Sequence, residues 1–264
     1  MKKILAILLT LTLVFALVAC GGGGDGDLVI ATPDDLSTPG IRIGVQLGTT
    51  GHVHATENFP DAEVMAYDTN SDVILALLSG DVDAVIMDNL PGMEFVGQNE
   101  GQIMQLPEML THEGYGISLP LDSPYTALFN QALDELRANG TWQAIMDYWV
   151  YQTPDATRYV TPEGTEHPNG VLLMGTNADF PPFEFYEYGV IVGIDPCLAQ
   201  AIGDILGYQI EIVDMDFAAI ILAVQTGQVD FGMAGMTITE ERQEMVDFTQ
   251  SYFLSGQSVI VRVS

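Results

Sequence analysis

Beyond Lys3 the 264-residue chain contains no lysine, and it has only two cysteines, Cys20 and Cys197. The shortage of cations excludes the most. Without the first 19 residues, Arg42, Arg137, Arg158, Arg242 and Arg262 stand against 36 acidic residues, a net charge of −31. Such a surface repels a phosphate backbone, so nucleic acid is excluded as a partner. It suits high ionic strength, where the repulsion is screened. With so few cations, each arginine becomes a candidate for a specific task. Histidine is also scarce: His52 and His54 are one residue apart and diverge on a helix, so no metal site is expected.

The N-terminus reads as an export signal. Lys2 and Lys3 precede an uncharged stretch, Ile4–Ala19, that is too short to span a membrane comfortably, followed by Leu17-Val18-Ala19-Cys20 and four glycines. Cys20 closes a lipobox that resembles those of bacterial lipoproteins, which implies lipidation at Cys20 and anchoring to the membrane. The alternative is an ordinary signal peptide with an incidental cysteine. If Cys20 carries lipid, Cys197 has no partner, and no intrachain disulfide is expected. Residues 20–32 read as a flexible tether and the start of a hinge.

About half of the residues are apolar, enough for one large domain or two modest ones. Two segments repeat a pattern. Residues 74–88 read ILALLSGDVDAVIMD and residues 221–235 read ILAVQTGQVDFGMAG. Each gives Ile-Leu-Ala, three residues, Gly, one residue, Val-Asp and an apolar run. Physically, each is the end of an amphipathic helix, a glycine stop and a short buried strand. Asp88 and Gly235 fall at the carboxyl edges of those strands. Ile41–Val45 and Val171–Met174 are a second pair of apolar strands, leading into Gly48-Thr49-Thr50-Gly51 and Gly175-Thr176-Asn177. Ligands of open α/β sheets bind beyond such strand ends, where helix N-termini point. The fold class is therefore α/β with two lobes, 33–116 and 117–264, and a cleft between them. Gly114–Pro120 reads as a strand crossing between the lobes. Gln152–Gly170, with three prolines and two glycines, reads as a linker.

Arg242 lies one turn into a helix that starts at Thr237 or Thr239. A planar guanidinium beside open backbone N–H groups suits a carboxylate, although an arginine facing solvent near Glu240 and Glu241 is the blander reading. Asp88 ends an apolar run, where a charge is costly unless paired. It either receives an ammonium group or caps the next helix through an Asp-Asn turn. Thr49, Thr50 and Gly51 offer hydroxyl and backbone donors. Phe180, Phe183 and Phe217 either line a pocket or belong to the core.

The stretches GTNADFPPFEF, IVGIDPCLAQAIGDILG, DMDFAAIILAVQTGQVD, AGMTITEERQEMVDFTQSYF and GVQLGTTG resemble the amino-acid-binding extracellular proteins of ABC importers. The resemblance covers nearly all of 33–150 and 171–264. It implies a type II periplasmic-binding-protein fold, without cofactor, that closes as a monomer on a polar L-amino acid and passes it to an ABC permease. Carried over motif by motif, Arg242 clamps the α-carboxylate with Thr237, Gly235, Thr50 and Thr49. Asp88 holds the α-amino group, Phe180 and Phe217 flank the side chain, and Asn177 reads it. Members that bind cationic side chains often have aspartate at the position of Asn177.

In that family the GTN-type strand comes first, whereas here it follows GVQLGTTG. The order reads as a circular permutation in which 152–170 joins the usual termini. The new ends, near Leu28–Ala31 and Val259–Val263, are expected to meet as a noncovalent hinge strand. A sensor or interaction module of the same fold is the alternative function. A dehydratase-like enzyme is a further one, but no Ser-His, Cys-His or metal constellation supports it.

Overall fold

The computed structural model describes residues 29–263; the signal segment 1–19, Cys20 and the tether through Leu28 lie outside the described residues. Lobe two comprises β1 (Arg42–Gln46), α1 (Thr50–Asn58), β2 (Glu63–Tyr67), α2 (Asn70–Ser79), β3 (Ala84–Asp88), α3 (Asn89–Gln98) and β4 (Ile103–Met109). The chain crosses in β5 (Glu113–Tyr115) and enters lobe one with β6 (Ser118–Leu119), α4 (Tyr125–Ala138) and α5 (Thr141–Trp149). After the irregular stretch come β7 (Val171–Thr176), β8 (Asp179–Phe180), β9 (Glu184–Glu187), β10 (Val190–Val192) and α6 (Ile194–Leu206). Lobe one continues with β11 (Gln209–Asp214), α7 (Ile220–Gln225), β12 (Phe231–Gly232), α8 (Glu240–Gln243) and β13 (Asp247–Phe248). A return crossing, β14 (Phe253–Ser255), leads to β15 (Gln257–Arg262).

The apolar runs explain the layers. All of β3 is buried. Ala84 and Ile86 pack with Ile43, Val45 and Val259 on one face of the sheet, while Val85 and Met87 pack with Val73, Leu77 and Ile260 on the other. A strand covered on both faces needs a continuous apolar run, not alternation. Its partner helix α2 begins where Thr69 Oγ1 accepts the Asp72 N–H at 3.1 Å and stops at Gly80, in the left-handed region (φ 84°).

The strand orders are β2-β1-β3-β15-β4 in lobe two and β11-β7-β12-β6-β13 in lobe one. In both sheets the first three strands are parallel. The fourth, antiparallel to its neighbours, arrives from the opposite lobe. The two lobes therefore share one topology, each completed by the strand that follows a crossing.

This overturns part of the reading from sequence. Residues 257–262 belong to lobe two, not lobe one, because β15 pairs with β3 and β4 along its length. The second crossing is not made by two chain ends. β14 pairs antiparallel with β5, Phe253 opposite Tyr115 and Ser255 opposite Glu113, and runs on covalently into β15. Nor do residues 29–32 start a hinge: Ile30 packs in the lobe-two core with Val259 and Val261, and the N–H groups of Ala31 and Thr32 both donate to Asp35 Oδ2 at 2.9 Å.

Residues 150–170 form neither helix nor strand, yet the stretch is fastened. Tyr159 Oη and Thr161 Oγ1 donate to Asp204 on α6 at 2.8 and 3.2 Å, and His167 Nε2 lies 2.8 Å from the same carboxylate. Cys197 lies in the first turn of α6, buried, with the Trp149 indole N–H directed at its sulfur at 3.4 Å.

Candidate functional site

The cleft between the lobes collects the residues singled out above. Thr49, Thr50, Asp88, Asn177, Phe180, Phe217, Gly235, Thr237 and Arg242 all line one cavity, together with Gln46, Glu184 and Ala234. In this arrangement the lobes nearly close it, leaving a free volume of about 10 Å3, room for about one water molecule. Phe183 is absent from it: its ring lies in the lobe-one core, 5.1 Å from that of Tyr115 and 5.0 Å from that of Phe253.

Two opposite charges are buried here, Asp88 at 6 % and Arg242 at 8 % exposure. Arg242 turns back from α8 as its position one turn in suggests. Its Nη1 donates to the Thr237 carbonyl at 2.8 Å, and its Nη2 reaches across the cleft to the Gly48 carbonyl at 3.0 Å. The guanidinium carbon sits 5.4 Å from the centre of the Phe217 ring, a cation–π distance. Two of its five N–H groups are engaged by these bonds, and burial draws its pKa down while Asp88, Glu113 and Glu241 oppose the shift.

Asp88 occupies the N-cap position of α3, but its side chain makes no capping bond. It points into the cleft, where Oδ1 accepts the Tyr115 hydroxyl. Burial pushes the Asp88 carboxyl up to about 7; Glu113 adds to the rise, and Tyr115, Gln257 and Arg242 oppose it. A carboxyl held back from ionising in a closed site is well placed to receive a cation, because the cation restores the charged form.

The hydroxyl donors differ from the expectation. The Thr49 proton goes to the Gln46 carbonyl at 2.8 Å, and the Thr50 and Thr237 protons go to Glu113 Oε2 at 2.7 and 2.6 Å. A hydroxyl carries one proton, so while these bonds stand the threonines present only backbone N–H groups to an anion. The start of α1 supplies such groups, since first-turn N–H groups have no partner within the helix. Gly51 is needed at this turn: a Cβ there would stand 2.6 Å from Gln257 Oε1 and 3.1 Å from the Ile86 carbonyl. Gly235 is needed for a second reason. Its φ is 53°, and a Cβ would stand 2.4 Å from the Phe180 ring.

Behind the lining, Asp195 Oδ2 accepts the Gly235 N–H at 2.9 Å and the Tyr252 hydroxyl at 2.8 Å. Glu184 is fully buried against Asp195. Both Glu184 oxygens and Asp195 Oδ1 have no other partner among the described residues. The pair is satisfied when Glu184 keeps its proton and donates it to Asp195. Burial, then the Asp195 charge, raise Glu184 well above the carboxylate range, and burial lifts Asp195 to about 6.

Asn177 Oδ1 accepts from Gln46 Nε2 across the cleft at 2.9 Å, and Asn177 Nδ2 donates to the Met215 carbonyl at 2.9 Å. At the rim, Asp179 accepts the Ser71 N–H at 2.7 Å and the Ser71 hydroxyl at 2.5 Å. Gln46, Glu113 and Gln257 escaped the sequence reading. A polar residue ending the otherwise apolar Ile43-Gly44-Val45 run was a signal for Gln46. Nothing local marks Glu113 or Gln257. Among the described residues no cluster of metal-ligating side chains occurs, and no helix is long and apolar enough to cross a membrane.

Parts of the chain are similar to known proteins. The arginine-binding extracellular protein ArtP of Bacillus subtilis (strain 168) is 43 % identical over 97 residues, 37 % of this chain and 38 % of its own length. The arginine-binding protein ArgT of Corynebacterium glutamicum is 36 % identical over 115 residues, 42 % of this chain and 38 % of its own. A solved structure of an ancestral arginine-binding protein bound to arginine is 52 % identical over 32 % of this chain and 38 % of that one, with a TM-score of 0.32. The chain thus spans about two fifths of the length of these curated relatives. Residues 172–264 match the bacterial extracellular solute-binding proteins, family 3. That match lies on the segment that supplies Asn177, Phe180, Phe217, Gly235, Thr237 and Arg242, which line the cleft between the two lobes.

Proposed function

We propose that this chain is an extracytoplasmic receptor, anchored through lipid on Cys20, that binds a polar L-amino acid and passes it unchanged to an ABC permease. One observation carries the reading: a buried guanidinium and a buried carboxylate, Arg242 and Asp88, line one small cleft flanked by Phe180 and Phe217. In this reading Arg242 holds the α-carboxylate, backed by backbone N–H groups at Thr50 and Thr237, and Asp88 takes the α-ammonium. Each charge then trades water for a charge-assisted bond. Asn177 and Gln46 face the ligand's side chain. Asp88, Glu113 and the shared charge of Glu184 and Asp195 outweigh the single Arg242, so the cleft favours a cationic ligand. The names of the similar proteins point the same way, and L-arginine is the first candidate. The segment order is, in the same reading, a circular permutation. It is supported by the single occurrence of each motif and by the way β15 completes a sheet built from residues 42–109.

A thermal-shift screen with the twenty amino acids tests this. Ligand at about 100 times its Kd adds about 2.7 kcal/mol of stability, so arginine or another polar amino acid should raise the melting temperature by several degrees. Mass spectrometry of the ligand released on denaturation should return it intact. The receptor reading is wrong if no amino acid moves the transition, and a chemically altered ligand would establish an enzyme instead.

A further inference from the structure

Glu113 lies at the start of the crossing strand β5, in neither lobe's sheet, and is partly buried. A single oxygen, Oε2, accepts the Thr50 hydroxyl of lobe two at 2.7 Å and the Thr237 hydroxyl of lobe one at 2.6 Å. Its other oxygen accepts the Thr111 hydroxyl at 2.6 Å. Gln257 Nε2, from the strand after the return crossing, donates to Thr50 Oγ1 at 3.0 Å and approaches Glu113 Oε2 at 3.4 Å. Both crossings and both lobes thus converge on one carboxylate.

We propose that Glu113 is a positioning residue that clasps the two lobes together in the ligand-free protein and turns the Thr50 and Thr237 hydroxyls away from donating into the cleft. Other bonds cross the cleft, among them Gln46 to Asn177, Arg242 to the Gly48 carbonyl, and Ser71 and Asn70 to Asp179. The first and last join neutral groups, the second draws on a guanidinium that a ligand carboxylate would claim, and the Ser71 bond lies at the exposed rim. Among the described residues Glu113 alone joins the lobes through a charged acceptor shared by two hydroxyls, and such bonds are shorter and stronger than neutral ones. Its place on the crossing strand lets it hold both sides with little movement of its own backbone. Opening the cleft separates Thr50 from Thr237, so one oxygen cannot keep both. Closure and the double bond are therefore the same event.

The test uses small-angle scattering of the ligand-free protein and so stands apart from the amino-acid reading. Glu113→Ala removes the shared acceptor and should enlarge the radius of gyration, with the closed-to-open ratio falling roughly tenfold or more. Glu113→Gln should expand clearly less than Glu113→Ala: its amide oxygen still accepts both hydroxyls, though as weaker neutral bonds, and its amide nitrogen donates to Thr111 Oγ1. The double variant Thr50→Val, Thr237→Val should expand like Glu113→Ala, and adding Glu113→Ala to it should expand it no further. Circular dichroism confirms that each variant is folded. The proposal is overturned if Glu113→Ala scatters like the parent, if Glu113→Gln expands equally, or if the double valine variant stays compact.

Discussion

Replacing Asp88 by Asn separates the cost of this residue from its use. Raising its carboxyl from 3.8 to about 7 costs the buried ionised form about 4 kcal/mol, at about 1.4 kcal/mol per pH unit. The sign follows from linkage. The folded protein holds this proton more tightly than the unfolded chain, so the associated stability is fully present below about pH 3.8 and is lost as pH rises through about 7. An asparagine keeps an oxygen for the Tyr115 hydroxyl and has nothing to ionise. Ligand-free Asp88→Asn should therefore melt with the parent near pH 4 and well above it at pH 8, by on the order of 10 °C for a chain of this size. With a bound amino acid the order reverses, because the ammonium pairs with the ionised carboxylate. Parental affinity should rise about 100-fold from pH 5 to pH 8, with proton release on binding, while the variant binds weakly and with little pH dependence. Thermal melts and titration calorimetry across pH 4–8 read both effects. Parallel melting curves for parent and variant over that range would refute the raised carboxyl. A parental affinity that is flat with pH would remove the ammonium from Asp88.

Arg242→Ala should weaken amino-acid binding by about 2–5 kcal/mol by calorimetry, since the ligand carboxylate loses its buried partner; Arg137→Ala, on the exposed face of α4 where its guanidinium meets the Ser251 carbonyl, should change affinity little. Asp204→Ala should release the 152–170 stretch, because Tyr159, Thr161 and His167 share that one carboxylate. Limited proteolysis should then cut within 152–170 several times faster, while the ligand affinity holds, since neither Asp204 nor 152–170 lines the cleft.

Much of this protein was already legible in one dimension. The repeated Ile-Leu-Ala…Gly…Val-Asp pattern specifies a helix, a stop and a buried strand, because amphipathic period, left-handed glycine and continuous apolar runs act over a few residues. That local grammar placed Asp88 and Gly235 beyond strand ends and Arg242 one turn into a helix, and the structure brings those residues into one cleft. Other features have no local signature. Whether β15 joins lobe one or lobe two depends on pairing with β3, some 170 residues away, where Ser258 Oγ donates to the Met87 carbonyl at 3.1 Å. An apolar strand such as Ser258-Val259-Ile260-Val261 fits the middle of either sheet by its side chains alone. The crossing β14 decides the matter by delivering it to lobe two, antiparallel between β3 and β4. Glu113 is likewise an ordinary acid among 36 acidic residues until the fold sets Thr50 and Thr237, from opposite lobes, against one of its oxygens. Hydrogen bonds over such separations leave no period or spacing in the chain, and only the closed arrangement of the two lobes determines them.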